Sequence, residues 1–220
     1  MTTLTVPEPS AAVPATTDVP IVAVSRRRID QVLVSLGVVA AVVLAIAGGL
    51  LTWGSNFADD YVERELEAQH IFFPDAASLE EEGRTDLLGY AEQQVVSGKD
   101  AKAYASYIDH HLDGIADGMT YADLGKVESA AKAEVTAAKD ANKSTEEVAA
   151  LQAKADGISG QRNTLFKGET LRGLLLSTFA WWQIGSIAGI AAMAAFAAAA
   201  VMLILVVFGF VHMRRHHATV

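Results

Sequence analysis

Two long stretches without a single Asp, Glu, Lys or Arg constrain this chain more than any other feature. Residues 32–58 form the first and residues 173–213 the second. The core of the first, residues 32–53, is 22 residues of mostly Val, Leu, Ala, Ile and Gly. As a helix rising 1.5 Å per residue it covers roughly the 30 Å of a bilayer core. The second stretch is longer than one span requires. Trp181 and Trp182 fall inside it, and amphipathic indoles favour the membrane–water boundary, as does Trp53 at the end of the first block. The second span is therefore expected from about Ile184 to about Phe210, with residues 173–180 as an extension that docks on the polar part or lies along the interface.

The first block also admits a leader-peptide reading. Arg26, Arg27 and Arg28 form a basic n-region, Ala45-Ile46-Ala47 has the small-x-small form of a cleavage site, and Ser25-Arg26-Arg27 loosely matches a twin-arginine signal. The apolar run continues past Ala47 to Trp53 and exceeds a typical h-region of roughly 7–15 residues, which favours an uncleaved span. Short basic flanks stay cytoplasmic. Arg26, Arg27 and Arg28 precede the first span, and Arg214 and Arg215 follow the second. Both termini are then expected inside, and the segment between outside. That segment, residues 55–178, holds 12 basic and 23 acidic residues, so it carries −11 of the chain's net −9.

Composition fits this plan. The chain is 51% hydrophobic, yet carries 26 acidic residues among 220. Apolar residues concentrated in blocks reconcile the two. The absence of cysteine excludes disulfides, thiolate metal sites and lipid attachment through a lipobox. The acidic balance argues against nucleic acid as a partner. Four of the five prolines lie within residues 1–24, which read as part of a disordered cytoplasmic tail covering residues 1–28.

The external segment, residues 58–172, is rich in Glu, Ala, Lys, Gln and Leu and lacks strand alternation. The expected fold is an all-α membrane protein, with two transmembrane helices (within residues 29–57 and 173–212) flanking an extracytoplasmic acidic helical bundle, and a cytoplasmic tail at 213–220. The first helix is expected to continue toward His70, with Pro74 breaking the chain. Ser78 with Glu81 suggests a capping box opening a helix over 79–97, perturbed near Gly83 and closed by Gly98. Asp100 reads as the N-cap of a helix to about Ala116. Thr120 with Asp123 opens another to about Ala141, and Ser144 with Glu147 opens a short one ending at Gly157, followed by a turn at 160–163. Leu124, Val127, Ala131, Val135 and Ala138 make a thin apolar stripe. Residues 130–156 alternatively project as a helical hairpin.

Inside the membrane, Gly37, Ala41, Ala45 and Gly49 recur every four residues, and Gly185 and Gly189 form a G-x-x-x-G that Ala191, Ala195 and Ala199 extend. Small residues let backbones approach. They would pack the two spans together, form a homodimer or dock another membrane protein. Neither span has an ionisable residue in its core, which argues against transport by this chain alone.

Candidate chemistry is sparse. Glu67-Ala68-Gln69-His70 is an E-x-x-H, which on a helix puts carboxylate and imidazole on one face; a di-iron bundle would need a second copy, and none exists. Asp109, His110, His111 and Asp113 cluster further on. Glu67, His70, His110 and Asp113 are thus the candidate ligands for Zn²⁺ or another divalent ion, against the simpler reading of surface and capping residues. Glu80-Glu81-Glu82 reads as a solvated helix start. No catalytic residue or cofactor site is identified, and no nucleotide-binding or hydrolase motif is found.

The segments Gln69-His70-Ile71-Phe72-Phe73-Pro74, Gly168-Glu169-Thr170-Leu171-Arg172-Gly173-Leu174-Leu175-Leu176 and Trp181-Trp182 resemble a group of uncharacterised two-span membrane proteins of actinobacteria over roughly residues 26–215. The resemblance implies a bacterial plasma-membrane location and no particular reaction. The plan of span, helical external domain and span is also similar to the sensor half of bacterial chemoreceptors, without their output domain after Arg215. Three functions follow in order: a non-enzymatic accessory protein of a membrane complex, a ligand- or metal-sensing domain that signals through a partner, and a metal-dependent enzyme.

Overall fold

A computed structural model describes residues 26–215. Residues 1–25 of the expected disordered tail and residues 216–220 lie outside the described residues, whereas Arg26, Arg27 and Arg28, expected in that tail, form the first turn of a helix. The described residues are all-helical: α1 (Arg26–Glu67), α2 (Ala76–Glu81), a 3₁₀ helix (Thr85–Tyr90), α3 (Gly98–Asp113), α4 (Tyr121–Asp140) and α5 (Thr145–Arg215). Among the described residues the nearest approach to a sheet is one isolated antiparallel bridge, Phe72 with Gln94. Two helices, α1 and α5, are long and apolar enough to cross a membrane. At 1.5 Å per residue, α1's 42 residues extend about 63 Å and α5's 71 residues about 106 Å.

α5 is the spine of the molecule. It packs against α1, α3 and α4 in turn. Three buried clusters are strung along it, and α5 gives one fully buried residue to each. Leu175 joins Val62, Leu66, Phe73, Leu79, Leu87, Val95, Ala101 and Ala105. Leu165 joins Leu112, Ala116 and Leu124. Ala155 joins Ala131 and Val135. The first cluster is the largest, and Phe73 lies within it between the rings of Tyr90 and Tyr104, with centroids 5.1 and 5.2 Å away. The last is thin because its residues are small, so the α4–α5 hairpin relies on polar links as well.

Several expected boundaries move, each for a local reason. α1 ends at Glu67 rather than continuing to His70, whose φ of +51° leaves the helical region. Residues 79–97 do not form one helix. Asp75, not Ser78, caps α2 by accepting the Ser78 amide at 2.9 Å. Gly83, at φ +72°, closes α2 in a left-handed turn, with the Arg84 amide reaching back to the Leu79 carbonyl. The chain then winds so that Leu79, Leu87 and Val95 all point inward, which no single helix face would allow. Gly98 is the first residue of α3, not a stop signal. Ser97 is its N-cap, and Asp100 is the third helical residue of a reciprocal capping box. α3 ends at Asp113, short of Ala116. Thr120 caps α4 through the Asp123 amide, and Ser144 and Glu147 exchange bonds at the start of α5.

The largest departure is α5 itself, which runs unbroken through Gly157 and the expected turn at 160–163. Each interior glycine costs about 1 kcal/mol relative to alanine. Packing offsets this: Ala155 and Leu165 are buried, Ile158 touches two clusters, and Ser159 and Arg162 are tied to α4.

Candidate functional site

The expected metal ligands do not converge. Glu67 is the last residue of α1 and its carbonyl accepts from Gln94 Nε2 at 2.9 Å. His70 sits one residue pair beyond the helix in a left-handed turn, so the E-x-x-H never presents both side chains on one helical face. His110 and Asp113 are exposed on the last turn of α3. Among the described residues, no three His, Asp or Glu side chains are arranged to hold a metal ion.

The structure instead gathers two polar networks that spacing alone does not reveal. The first fixes the irregular segment onto α3. Arg84, 9% exposed, donates through Nε and Nη2 to the two oxygens of Asp86 at 2.9 and 2.8 Å, and to the Ser106 carbonyl and hydroxyl at 2.8 and 2.9 Å. The paired guanidinium holds the Asp86 carboxyl below its usual range. Next to it, Tyr107 donates to Glu82 Oε1 at 3.4 Å, and His111 Nε2 lies 3.5 Å from the same oxygen. Burial, then the neighbouring Glu82 charge, pushes the Tyr107 phenol up to about 12. Tyr107 is therefore a neutral donor at physiological pH.

The second network joins α4 to α5. Glu128 is 7% exposed where the expected apolar stripe has Val127, which is 40% exposed. Glu128 accepts from Lys132 Nζ at 2.6 Å, Ser159 Oγ at 2.5 Å and Arg162 Nη1 at 2.7 Å. These three donors hold its carboxyl down at about 2. The Arg162 guanidinium also lies 4.2 Å from the Tyr121 ring centroid, and Tyr121 pairs with Phe166. A shallow pocket of about 230 Å³ opens here. Its two charged groups, Glu128 and Arg162, are paired with each other through Arg162 Nη1, while Arg162 Nε makes no hydrogen bond, and the pairing gives the site the geometry of a clamp.

The third feature is the junction between the apolar helix pair and the polar domain. Trp53, Phe57 and Tyr61 stack along α1 at 5.8 and 6.2 Å. Phe57 and Tyr61, with Trp181, border an apolar cavity of about 190 Å³ between the helices. Trp181 is 62% exposed, but its neighbour is not equivalent. Trp182 packs directly on the Gly98 backbone, where any Cβ would overlap its ring, and stacks on Phe179. Lys99 and Lys102 stand over Trp182 and Phe179 at 5.5 and 4.8 Å. Trp182 thus seats the start of α3 on α5. Residues 173–180 dock likewise through Leu175, which is buried in the largest cluster.

Along the apolar helices, the contact seam differs from the expected four-residue stripe. A spacing of four drifts about 40° per step around a 3.6-residue helix, so it leaves a straight contact line after two steps. Gly37 and Ala41 lie on the seam; Ala45 and Gly49 rotate off it and are exposed. Buried or half-buried positions instead follow alternating steps of three and four: Gly37, Ala41, Leu44, Gly48, Leu51 and Ser55. That is the repeat of an antiparallel coiled coil. On α5 the facing positions are Gly185, Ala192 and Ala199, seven apart and buried, with Gly189 and Ala195 half-buried beside them and Ala191 turned outward. A Cβ on Gly185 would come 2.7 Å from that of Ala58, one on Gly189 2.8 Å from Ser55 Oγ, and one on Gly37 2.7 Å from Val206.

The fold and these sites define an all-helical chain with two helices fit to cross a membrane and a polar domain clamped to the longer one. No family model, curated protein or solved structure matches it.

Proposed function

We propose that the chain is a two-span plasma-membrane protein, with both termini cytoplasmic, that holds an acidic helical domain outside the membrane as a docking element for another membrane protein. The carrying observation is α5. It passes without a break from the apolar pair into the polar domain, so the hairpin tip near Asn142 is rigidly linked to the membrane. Residues 145–181 alone extend about 55 Å as a helix. A continuous helix transmits position and orientation, which a docking or spacing role uses. Apolar side chains around both long helices support the membrane reading. Val32, Leu50 and Phe208 are 65–67% exposed in the isolated chain and need a lipid cover. The bacterial setting rests on the resemblance drawn from the sequence.

Two measurements test this. Washing membranes with alkaline carbonate should leave the protein in the pellet. Mild-detergent extraction after cross-linking in intact membranes should give a species larger than the 23.3 kDa chain. Release into the wash contradicts the membrane assignment, and a lone monomer after cross-linking contradicts the docking role.

A further inference from the structure

We infer that the groove at the arginine-rich end of the α1–α5 pair binds one anionic phospholipid, with an acyl chain along its apolar wall and the phosphate at its basic rim. This rests on the membrane reading above. The groove measures about 520 Å³. Leu33, Phe208 and Val211 form its wall; Leu33 and Phe208 are 60% and 67% exposed and face the same surroundings as the rest of the apolar surface. Its floor is the helix contact itself, because Gly209 lets Val34 approach so closely that a Cβ there would lie 2.9 Å from Val34 Cγ2.

The rim determines the headgroup. Arg215 and His212 border the groove, with Asp30 across from them. Among the described residues at this end of the two helices, the sequence sets four arginines (Arg27, Arg28, Arg214 and Arg215) against one carboxylate, Asp30. The Arg214 guanidinium is held at this level, 4.6 Å from the Phe210 ring centroid. Arginine matches a phosphate in geometry as well as charge, and basic pockets between spans on the cytoplasmic side suit anionic headgroups. The apolar cavity at the opposite end has no basic residue in its lining and lacks this rim. Wall and rim together fit a phospholipid, since a free phosphate would leave the apolar wall uncovered.

The test uses the full chain in vesicles of equal phosphatidylglycerol and phosphatidylcholine, extracted gently and weighed by native mass spectrometry. The expected result is one retained phosphatidylglycerol per chain, preferred at least fivefold over phosphatidylcholine. Arg215→Gln should lower that preference about fivefold, the effect of one arginine near an anionic surface. Val211→Trp, which fills the groove and leaves its charge, should lower retention of both lipids. Equal retention of the two lipids by the unaltered chain overturns the inference. So does a preference that survives both substitutions, or a lipid-free dimer cross-linked through Phe208→Cys. A chain that never enters the vesicles contradicts the membrane assignment instead, whereas one that enters and shows no preference contradicts only the lipid site.

Discussion

Glu128 shows best how a single side chain governs local stability here. It is buried between α4 and α5 and satisfied by three donors, and those donors hold its carboxyl at about 2, below the ordinary 4.5. Between those values the unfolded chain binds more protons than the folded one, so stability rises with pH in that window. The clamp is at full strength above about pH 4.5 and is lost as pH falls toward 2. Hydrogen exchange of the α4–α5 hairpin in the native chain and in Glu128→Gln should therefore differ at pH 6 and converge toward pH 2. A constant difference across that range contradicts the assignment. Arg84 is the comparable residue on the other side of the domain. Arg84→Met leaves Asp86 and the Ser106 carbonyl without their donor and should cost about 2 kcal/mol in urea unfolding of the polar domain. Neither network is legible in the sequence. Glu128 interrupts an apolar stripe by one position, and Arg84 lies 22 residues from Ser106, so only folding brings their partners together.

At the scale of elements, local signals were readable where they act locally. Thr120 with Asp123 and Ser144 with Glu147 start helices as their spacing suggests, because a cap needs only residues three apart. The stop at Asn142 likewise shows in the chain, and the structure closes it with the Lys143 amide on the Ala138 carbonyl. Gly157 misled because glycine propensity is a weak prior and α4 supplies the contacts that override it. The segment before α3 misled because Leu79, Leu87 and Val95 are gathered by tertiary packing, not by helical period. Leu79→Ala, at a fully buried position, should cost about 3 kcal/mol, read as a lowered urea midpoint. The seam between the long helices gives a sharper contrast. Gly185→Leu should separate α1 from α5 and lower the thermal midpoint in detergent by several degrees, since its Cβ has no room beside Ala58. Gly49→Leu, with nothing within 4 Å, should leave the midpoint within about a degree. Equal effects at both positions would mean the two helices do not pack in this register.

For the whole molecule, the sequence showed the two apolar blocks and the helical character of the rest, because long charge-free runs and composition survive any packing arrangement. It did not show that one 71-residue helix carries both an apolar stretch long enough to cross a membrane and the polar domain's spine, since that continuity depends on contacts from α1, α3 and α4. The central claim is that the two long helices cross a membrane and hold the hairpin tip on its outer side. The chain contains no cysteine, so single reporters can be introduced cleanly. Asn142→Cys, at the tip, should react with a membrane-impermeant maleimide on intact cells, whereas Thr219→Cys should react only after the cells are opened. An Asn142→Cys that stays unlabelled until lysis would contradict this account, as would equal labelling of both positions in intact cells.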